Sequence, residues 1–493
     1  MIIMFGQKHI SAALLIAMLA SLTACGGEAG TTDTTNAADD TTTAPVEETT
    51  ADLYATGHDL GGFEFTILNV PLTLWNMNTV LDFEAQTGES LDDAIYNRNR
   101  NAEEKLNFKL NVIHNSGYHD GSLNTAIRKD VMSGDGVYDA AYAYGADVGS
   151  LITDEALLNL MELDNLSIDQ PWWIQTTMEQ AKIGADTCYF AHSYLSLTAF
   201  DLTWCLFFNE DMMENLKIDK PYDLVREGKW TVDALRTMAK AGAQLNGDDS
   251  WKWQDEGNAV YGFCAMHSGA LAQIIGCGGL FCEKDADGYP VLSVGDERFV
   301  NILQTLADMY ASEGEFRRGS TTDGSKDAYL TQFRGRRSMF VAGEVKSAGE
   351  FREFTDTFGM VPNPKFDENQ KEYYSWTNNA APVLVVPKTS KDPAKTATIL
   401  DALSYYSYRD ILPIYYDQTI SQKGLRNEDS IEMLDIIRAS LTFDASLCYG
   451  WTTSMADTLK EQIISGKSEV VSIIEANKPK AEEKIQKMLD ELK

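Results

Sequence analysis

Five segments of this 493-residue chain set an aromatic ring beside a carboxylate, an amide or a hydroxyl, off any helical stripe. They are Leu74-Trp75-Asn76-Met77-Asn78, Tyr144-Gly145-Ala146-Asp147, Phe200-Asp201-Leu202-Thr203-Trp204, Trp376-Thr377-Asn378-Asn379 and Tyr449-Gly450-Trp451-Thr452. An aromatic face covers apolar C–H surface, while carboxylates and amides take hydroxyl groups at its rim. This pairing is the chemistry of non-covalent recognition of a hydroxylated ligand. It makes Trp75, Tyr144, Asp201, Trp204, Trp376, Asn378 and Trp451 the candidate contacts. For each the competing reading is an aromatic or polar side chain spent on packing.

Covalent and metal chemistry leave no comparable trace. The chain has no Gly-x-Ser-x-Gly elbow and no His-Glu-x-x-His helix, and its six histidines are not at metal spacing. No catalytic residue, metal or cofactor is therefore expected. Among 74 acidic residues, a pair of carboxylates flanking a cleft, as a glycan hydrolase needs, stays open as an alternative. Other conspicuous residues are set aside. Trp230 precedes a helix cap and staples that turn, and Trp172 and Trp173 behind Pro171 read as a surface or hinge contact. Asp285-Ala286-Asp287-Gly288 reads as a turn, since the later ligands of a calcium loop are missing. Arg334, Arg336 and Arg337 form a solvated basic spot.

The elements that must position the candidates follow from periodicity. Phe63, Phe65 and Ile67 alternate with polar residues as a strand, and Phe108, Leu110 and Val112 do the same. Between them Leu91, Ile95, Ala102 and Leu106 recur at helical spacing behind a capping pattern at Ser90. Leu123, Ile127 and Val131 make a second helical face, which Gly134 stops, and Asp139 to Tyr144 is the next strand. This alternation implies parallel pairing with crossover helices, an α/β fold. Trp75 and Tyr144 then follow strands whose carboxyl ends border a crevice. Further strands are expected at 203–208, 260–265, 339–341, 357–361 and 381–386. Helices are expected after Pro221 and Thr231 and at 299–310, 393–405 and 470–492, with a hairpin turn at 284–289.

The amino terminus has a different grammar. Lys8 precedes the 13-residue apolar stretch Ile10 to Leu22, too short to span a bilayer, and Leu22-Thr23-Ala24-Cys25 closes it. This order resembles a bacterial lipoprotein signal, which implies cleavage before Cys25 (signal 1–24), a lipid on that cysteine and a membrane-anchored, extracytoplasmic chain. Gly26 to Asp52 carries seven acids and no Lys or Arg, so 25–56 reads as a solvated linker. Removing Lys8 takes the formal charge from −33 to −34, which argues against nucleic-acid partners. The remaining six cysteines lack zinc spacing; Cys277 and Cys282 are near enough in sequence to bridge, and the others read as core residues.

Three further segments carry a family resemblance. They are Gly88-Glu89-Ser90-Leu91-Asp92-Asp93-Ala94-Ile95-Tyr96 with Arg98-Asn99-Arg100, then Phe207-Phe208-Asn209-Glu210-Asp211, then Pro221-Tyr222-Asp223-Leu224-Val225-Arg226-Glu227-Gly228-Lys229-Trp230-Thr231. The chain from Gly61 onward resembles extracellular solute-binding lipoproteins of bacterial ABC importers, of the maltose-binding, carbohydrate type. The resemblance implies a two-lobe periplasmic-binding-protein-like fold (type II) with the ligand between the lobes. It implies one lobe at 57–198 plus 378–430 and the other at 199–377 plus 431–493. Asp201, Trp204, Trp376 and Asn378 then lie at lobe crossings. The function implied is hinge-closing capture of a sugar by a monomer for the membrane subunits of an ABC permease. A peptide or organic anion is the alternative cargo.

Overall fold

The computed structural model describes residues 52–491, apart from 252–256, 313, 315, 319–327, 352, 421–424 and 426–427. The signal, Cys25 and nearly all of the linker lie outside the described residues.

Strand β1 (Phe63–Asn69) leads through helix α1 (Ser90–Leu106) to β2 (Phe108–His114), and helix α2 (Ser122–Ser133) leads to β3 (Ala140–Tyr144). Both β2 and β3 pair with β1 in parallel, as the alternation requires. Helix α1 ends where Asn107 turns left-handed and α2 where Gly134 does, each stopping an amphipathic face with a residue that tolerates positive φ. Ser90 is not the cap: Glu89 holds that position, and Asp93 reaches back to accept from the Thr87 and Gly88 N–H groups.

The chain then crosses into a second sheet. β4 (Trp204–Asn209) is followed by α3 (Val232–Gly242), β5 (Tyr261–Ala265), α4 (His267–Gly276), the hairpin β6 (Cys282–Lys284) and β7 (Pro290–Leu292), and α5 (Glu297–Ala311). Then come β8 (Phe316–Arg318), β9 (Ser338–Glu344) and β10 (Phe358–Val361), in spatial order β10-β4-β9-β5-β8. Thr231 caps α3 with its hydroxyl as expected. The return runs through β11 (Ser375–Trp376) to β12 (Pro382–Val385), which joins the first sheet antiparallel to β3. Helices α6 (Pro393–Tyr406) and α7 (Leu412–Ile420) are joined by one π turn at Ser407–Ile411. Next are α8 (Glu428–Ala439), β13 (Leu441–Thr442), α9 (Thr453–Ile464) and α10 (Val471–Glu491).

Each sheet has its own core. Phe65, Phe108, Ile127, Val383 and Leu400 belong to the first, and Phe207, Phe263, Ile274, Phe340 and Leu459 to the second. Three segments run side by side at the junction: Thr203 bridges to Thr377, and β11 pairs with β13 in parallel. Beyond β13, Phe443, Tyr449 and Trp451 pack into the first core, and α10 enters both, with Ile474 in the second and Ile485 in the first.

The structure corrects two expectations, for the Trp pair and the Arg cluster, and decides the thiol state of Cys277 and Cys282. Trp172 and Trp173 are neither surface nor hinge residues. Both are buried, and their indole N–H groups donate to Asp401 at 2.8 and 2.7 Å. Cys277 and Cys282, whose pairing the sequence leaves open, are free thiols: Cys277 faces the Pro364 carbonyl, and Cys282 packs in the first core. Arg336 is paired with buried Asp356 at 2.8 Å and Arg337 with the Ala259 carbonyl, so that basic spot is partly spoken for.

Candidate functional site

The carboxyl ends of β1, β2 and β3 deliver one side chain set to one place. Trp75 follows β1, Tyr118 and His119 follow β2, and Tyr144 closes β3. The Trp75 ring lies 4.3 Å from His119 and edge-on to Tyr118 at 5.6 Å. Tyr144 lies 4.9 Å from Tyr118, and its hydroxyl is 3.2 Å from His119 Nδ1. Trp75 and Tyr144 are half-buried and His119 is exposed, so the patch presents ring surface rather than hiding it. Local bonds fix it. Tyr118 donates to the Ala380 carbonyl at 2.5 Å, and Asn124 of α2 accepts from the Tyr144 N–H at 2.8 Å. Gly145 lets β3 end tightly under the second crossing, since a Cβ there would lie 2.3 Å from the Ala381 carbonyl oxygen.

The second lobe faces this patch from two sides. Lys346, just past β9, donates to the Trp75 carbonyl oxygen at 2.5 Å and sits 3.3 Å from Glu344. Asp457 of α9 lies near enough to Tyr144 to repel its phenolate, and it pairs with Lys460 at 2.5 Å. Burial raises the pKa of Tyr144, with Cys448, Asp147 and Asp457 adding repulsion. Glu344 is raised chiefly by burial, against the attraction of Lys346. His267, opening α4, stands 3.8 Å from Glu461 of α9. Rings on one wall and amines and carboxylates on the other can cover a sugar face and bond its hydroxyls. Among the described residues no group of three or more metal-ligating side chains is present.

The other sequence candidates are placed differently. Asp201 is 1% exposed, and its carboxylate is occupied by the Asn78 N–H at 2.7 Å, the Asn78 amide and the Tyr415 hydroxyl. It fastens the Trp75 loop to the crossing and to α7, and burial raises its pKa. Trp204 and Trp376 stack on each other at 6.4 Å and are 1% exposed, forming the floor of the junction. Asn378 borders the site, with its amide 3.5 Å from Glu344. Trp451 is stacked on Tyr449 at 4.5 Å beside a pocket of about 270 Å³ that Ala146, Asp147, Lys484 and Lys487 also line. Sequence reasoning missed His119, Tyr118, Glu344, Lys346 and Asp457. Tyr118 and His119 had a signal, since they too follow a strand's carboxyl end; the other three come from distant segments that only the fold assembles.

No protein-family profile and no curated protein sequence matches the chain. Solved structures do match over most of its length. The cyclo/maltodextrin-binding protein complexed with maltotetraose aligns at a TM-score of 0.56 and 13% identity, over 86% of this chain and 97% of that one. The extracellular solute-binding protein from Staphylococcus aureus in complex with maltose aligns at 0.55 and 13%, over 86% and 98%. An ABC substrate-binding protein from Listeria monocytogenes in complex with cycloalternan aligns at 0.52 and 12%, over 87% and 99%. The chain has the α/β, two-lobe fold of the ABC-importer solute-binding proteins.

Proposed function

We propose that this chain is a solute-binding protein that captures a sugar or oligosaccharide between its lobes and delivers it to an ABC permease. The observation that carries the proposal is the ring patch of Trp75, Tyr118, His119 and Tyr144, faced by Glu344, Lys346 and Asp457. The ligands of the three fold neighbours, all of them saccharides, support the sugar class. Contacts from both walls are made only when the walls meet, so a bound sugar shifts the population toward closure. The crossings at 199–203 and 376–378 act as hinges between the two lobes. Trp75, Tyr144, Asn378, His119 and Glu344 contact the ligand directly, and no covalent step is involved.

Cys25 carries the lipid, the linker after it holds a monomer at the outer face of the membrane, and the partners are the permease's membrane subunits. Among the described residues no helix is long and apolar enough to cross a membrane. A thermal-shift screen over maltose, maltotetraose, peptides and organic anions tests the reading. A ligand at a hundredfold excess over its dissociation constant stabilises by about 2.7 kcal/mol. A shift with peptides and none with any saccharide would overturn the sugar assignment.

A further inference from the structure

Lys346 is the second-lobe side chain that reaches across to the ring patch. Its ammonium is 2.5 Å from the Trp75 carbonyl oxygen in the first lobe and 3.3 Å from Glu344 Oε2 in its own, and only 13% of the side chain is exposed. The carbonyl it meets is presented by an unusual turn. Trp75 and Asn76 both take left-handed backbone angles, φ 50° and 55°. Asparagine tolerates that region, whereas a tryptophan is held there against its preference. What holds the turn lies below it: the Asn78 N–H and amide bind Asp201, which also takes the Tyr415 hydroxyl from α7. Trp75 thus serves two neighbours at once. Its ring belongs to the patch with His119 and Tyr118, and its carbonyl belongs to Lys346.

We propose that Lys346 is a positioning residue that couples occupation of the Trp75 ring to closure of the two lobes. The ammonium meets the Trp75 carbonyl only when the end of β9 is brought against the Trp75 turn. Both partners are anchored at the crossing, the Trp75 turn through Asn78 and Asp201 and the end of β9 through the Val345 N–H on the Thr203 carbonyl, so a parting of the lobes here stretches this bond and the bond favours the closed state. Glu344, behind the ammonium, keeps it aimed across the junction. Lysine has a third donor hydrogen beyond these two partners, available to a ligand hydroxyl lying on the ring. The ligand half of this inference rests on the proposed function; the clamp half does not.

The test uses Lys346→Met, which keeps the aliphatic stem, and Lys346→Arg, which keeps the charge. Small-angle scattering of the ligand-free full chain reads the clamp. Lys346→Met should have a larger radius of gyration than the parent with an unchanged far-ultraviolet circular dichroism spectrum, and Lys346→Arg should restore the parent curve. Should the methionine variant misfold, Lys346→Gln replaces it in the same comparison. Superimposable curves for parent and neutral variant overturn the inference. With maltotetraose as probe, the neutral variant should bind at least tenfold more weakly, and an equal dissociation constant also overturns it. If the parent binds no saccharide, the functional reading fails while the ligand-free scattering still decides the clamp.

Discussion

Replacing Asp201 separates an architectural role from a ligand-binding one. One carboxylate oxygen accepts the Asn78 N–H at 2.7 Å and the Asn78 amide at 3.1 Å, and the other accepts the same amide at 3.2 Å and the Tyr415 hydroxyl. Asp201→Ala leaves three donor groups without this acceptor, the buried Tyr415 hydroxyl and the half-buried N–H and amide of Asn78, around a carboxylate 1% exposed. At about 1–3 kcal/mol for each stranded group the gross loss is about 3–9 kcal/mol, with the half-buried Asn78 groups at the low end of that range. The burial that raises the pKa of Asp201 is relieved by the same change, which places the net loss at the lower end, about 3 kcal/mol. Asp201→Asn keeps one acceptor oxygen and turns the other atom into a donor. With the new amide nitrogen toward Tyr415, whose hydroxyl can rotate to accept, the remaining oxygen still takes the Asn78 N–H, and the Asn78 side-chain amide loses one of its two contacts, so about 1–2 kcal/mol is expected. In calorimetry the alanine variant should lower the melting midpoint of its lobe by about 6–12 °C. A midpoint within about 1 °C of the parent, with sugar binding lost, would refute the reasoning and make Asp201 a ligand contact.

Three more outcomes follow from the same geometry. Trp75→Ala should weaken maltotetraose binding at least tenfold in calorimetric titration while the melting midpoint barely moves, because the ring is half-buried at the junction. Arg98 is buried, and its guanidinium donates to the Leu81 carbonyl at 2.7 Å, to Ser407 at 2.9 Å and to Asn99 at 2.9 Å. Arg98→Lys loses that planar fork and should cost about 2–4 kcal/mol in urea unfolding. His192 is buried edge-on to Phe443, and burial pushes its pKa down to about 4. The unfolded chain therefore binds a proton that the folded one refuses between about pH 6.5 and 4, so this residue's contribution falls as pH falls through that window, by about 3 kcal/mol in all. His192→Phe should flatten the pH dependence of the urea midpoint between pH 7 and 4.5, and an identical slope in both proteins would contradict the assignment.

The regular elements were legible because each has local causes. Alternation at Phe63, Phe65 and Ile67 becomes β1, the Leu91 stripe becomes α1, and Gly134 stops α2 with a left-handed turn. The loop-after-strand rule brought Trp75 and Tyr144 to the patch, and applied to β2 it would have added Tyr118 and His119. It says nothing about burial. At the crossings Trp204 and Trp376 are buried in the second core and stacked on each other. Glu344, Lys346 and Asp457 were invisible for a different reason. Glu344 ends β9, Lys346 lies just past it and Asp457 lies in α9, and only the fold brings Lys346 to the Trp75 turn and Asp457 near Tyr144. Trp172 and Trp173 show the same limit inside one core, since their partner Asp401 lies more than two hundred residues away.

The central claim is that a sugar lies between the Trp75 patch and the second lobe. A crystal structure of the chain grown with maltotetraose tests it most directly. The account predicts sugar rings against Trp75 and Tyr144 with hydroxyls on Glu344 and Lys346. Maltotetraose found only beside Trp451, or a junction without it at saturating concentration, would contradict the account.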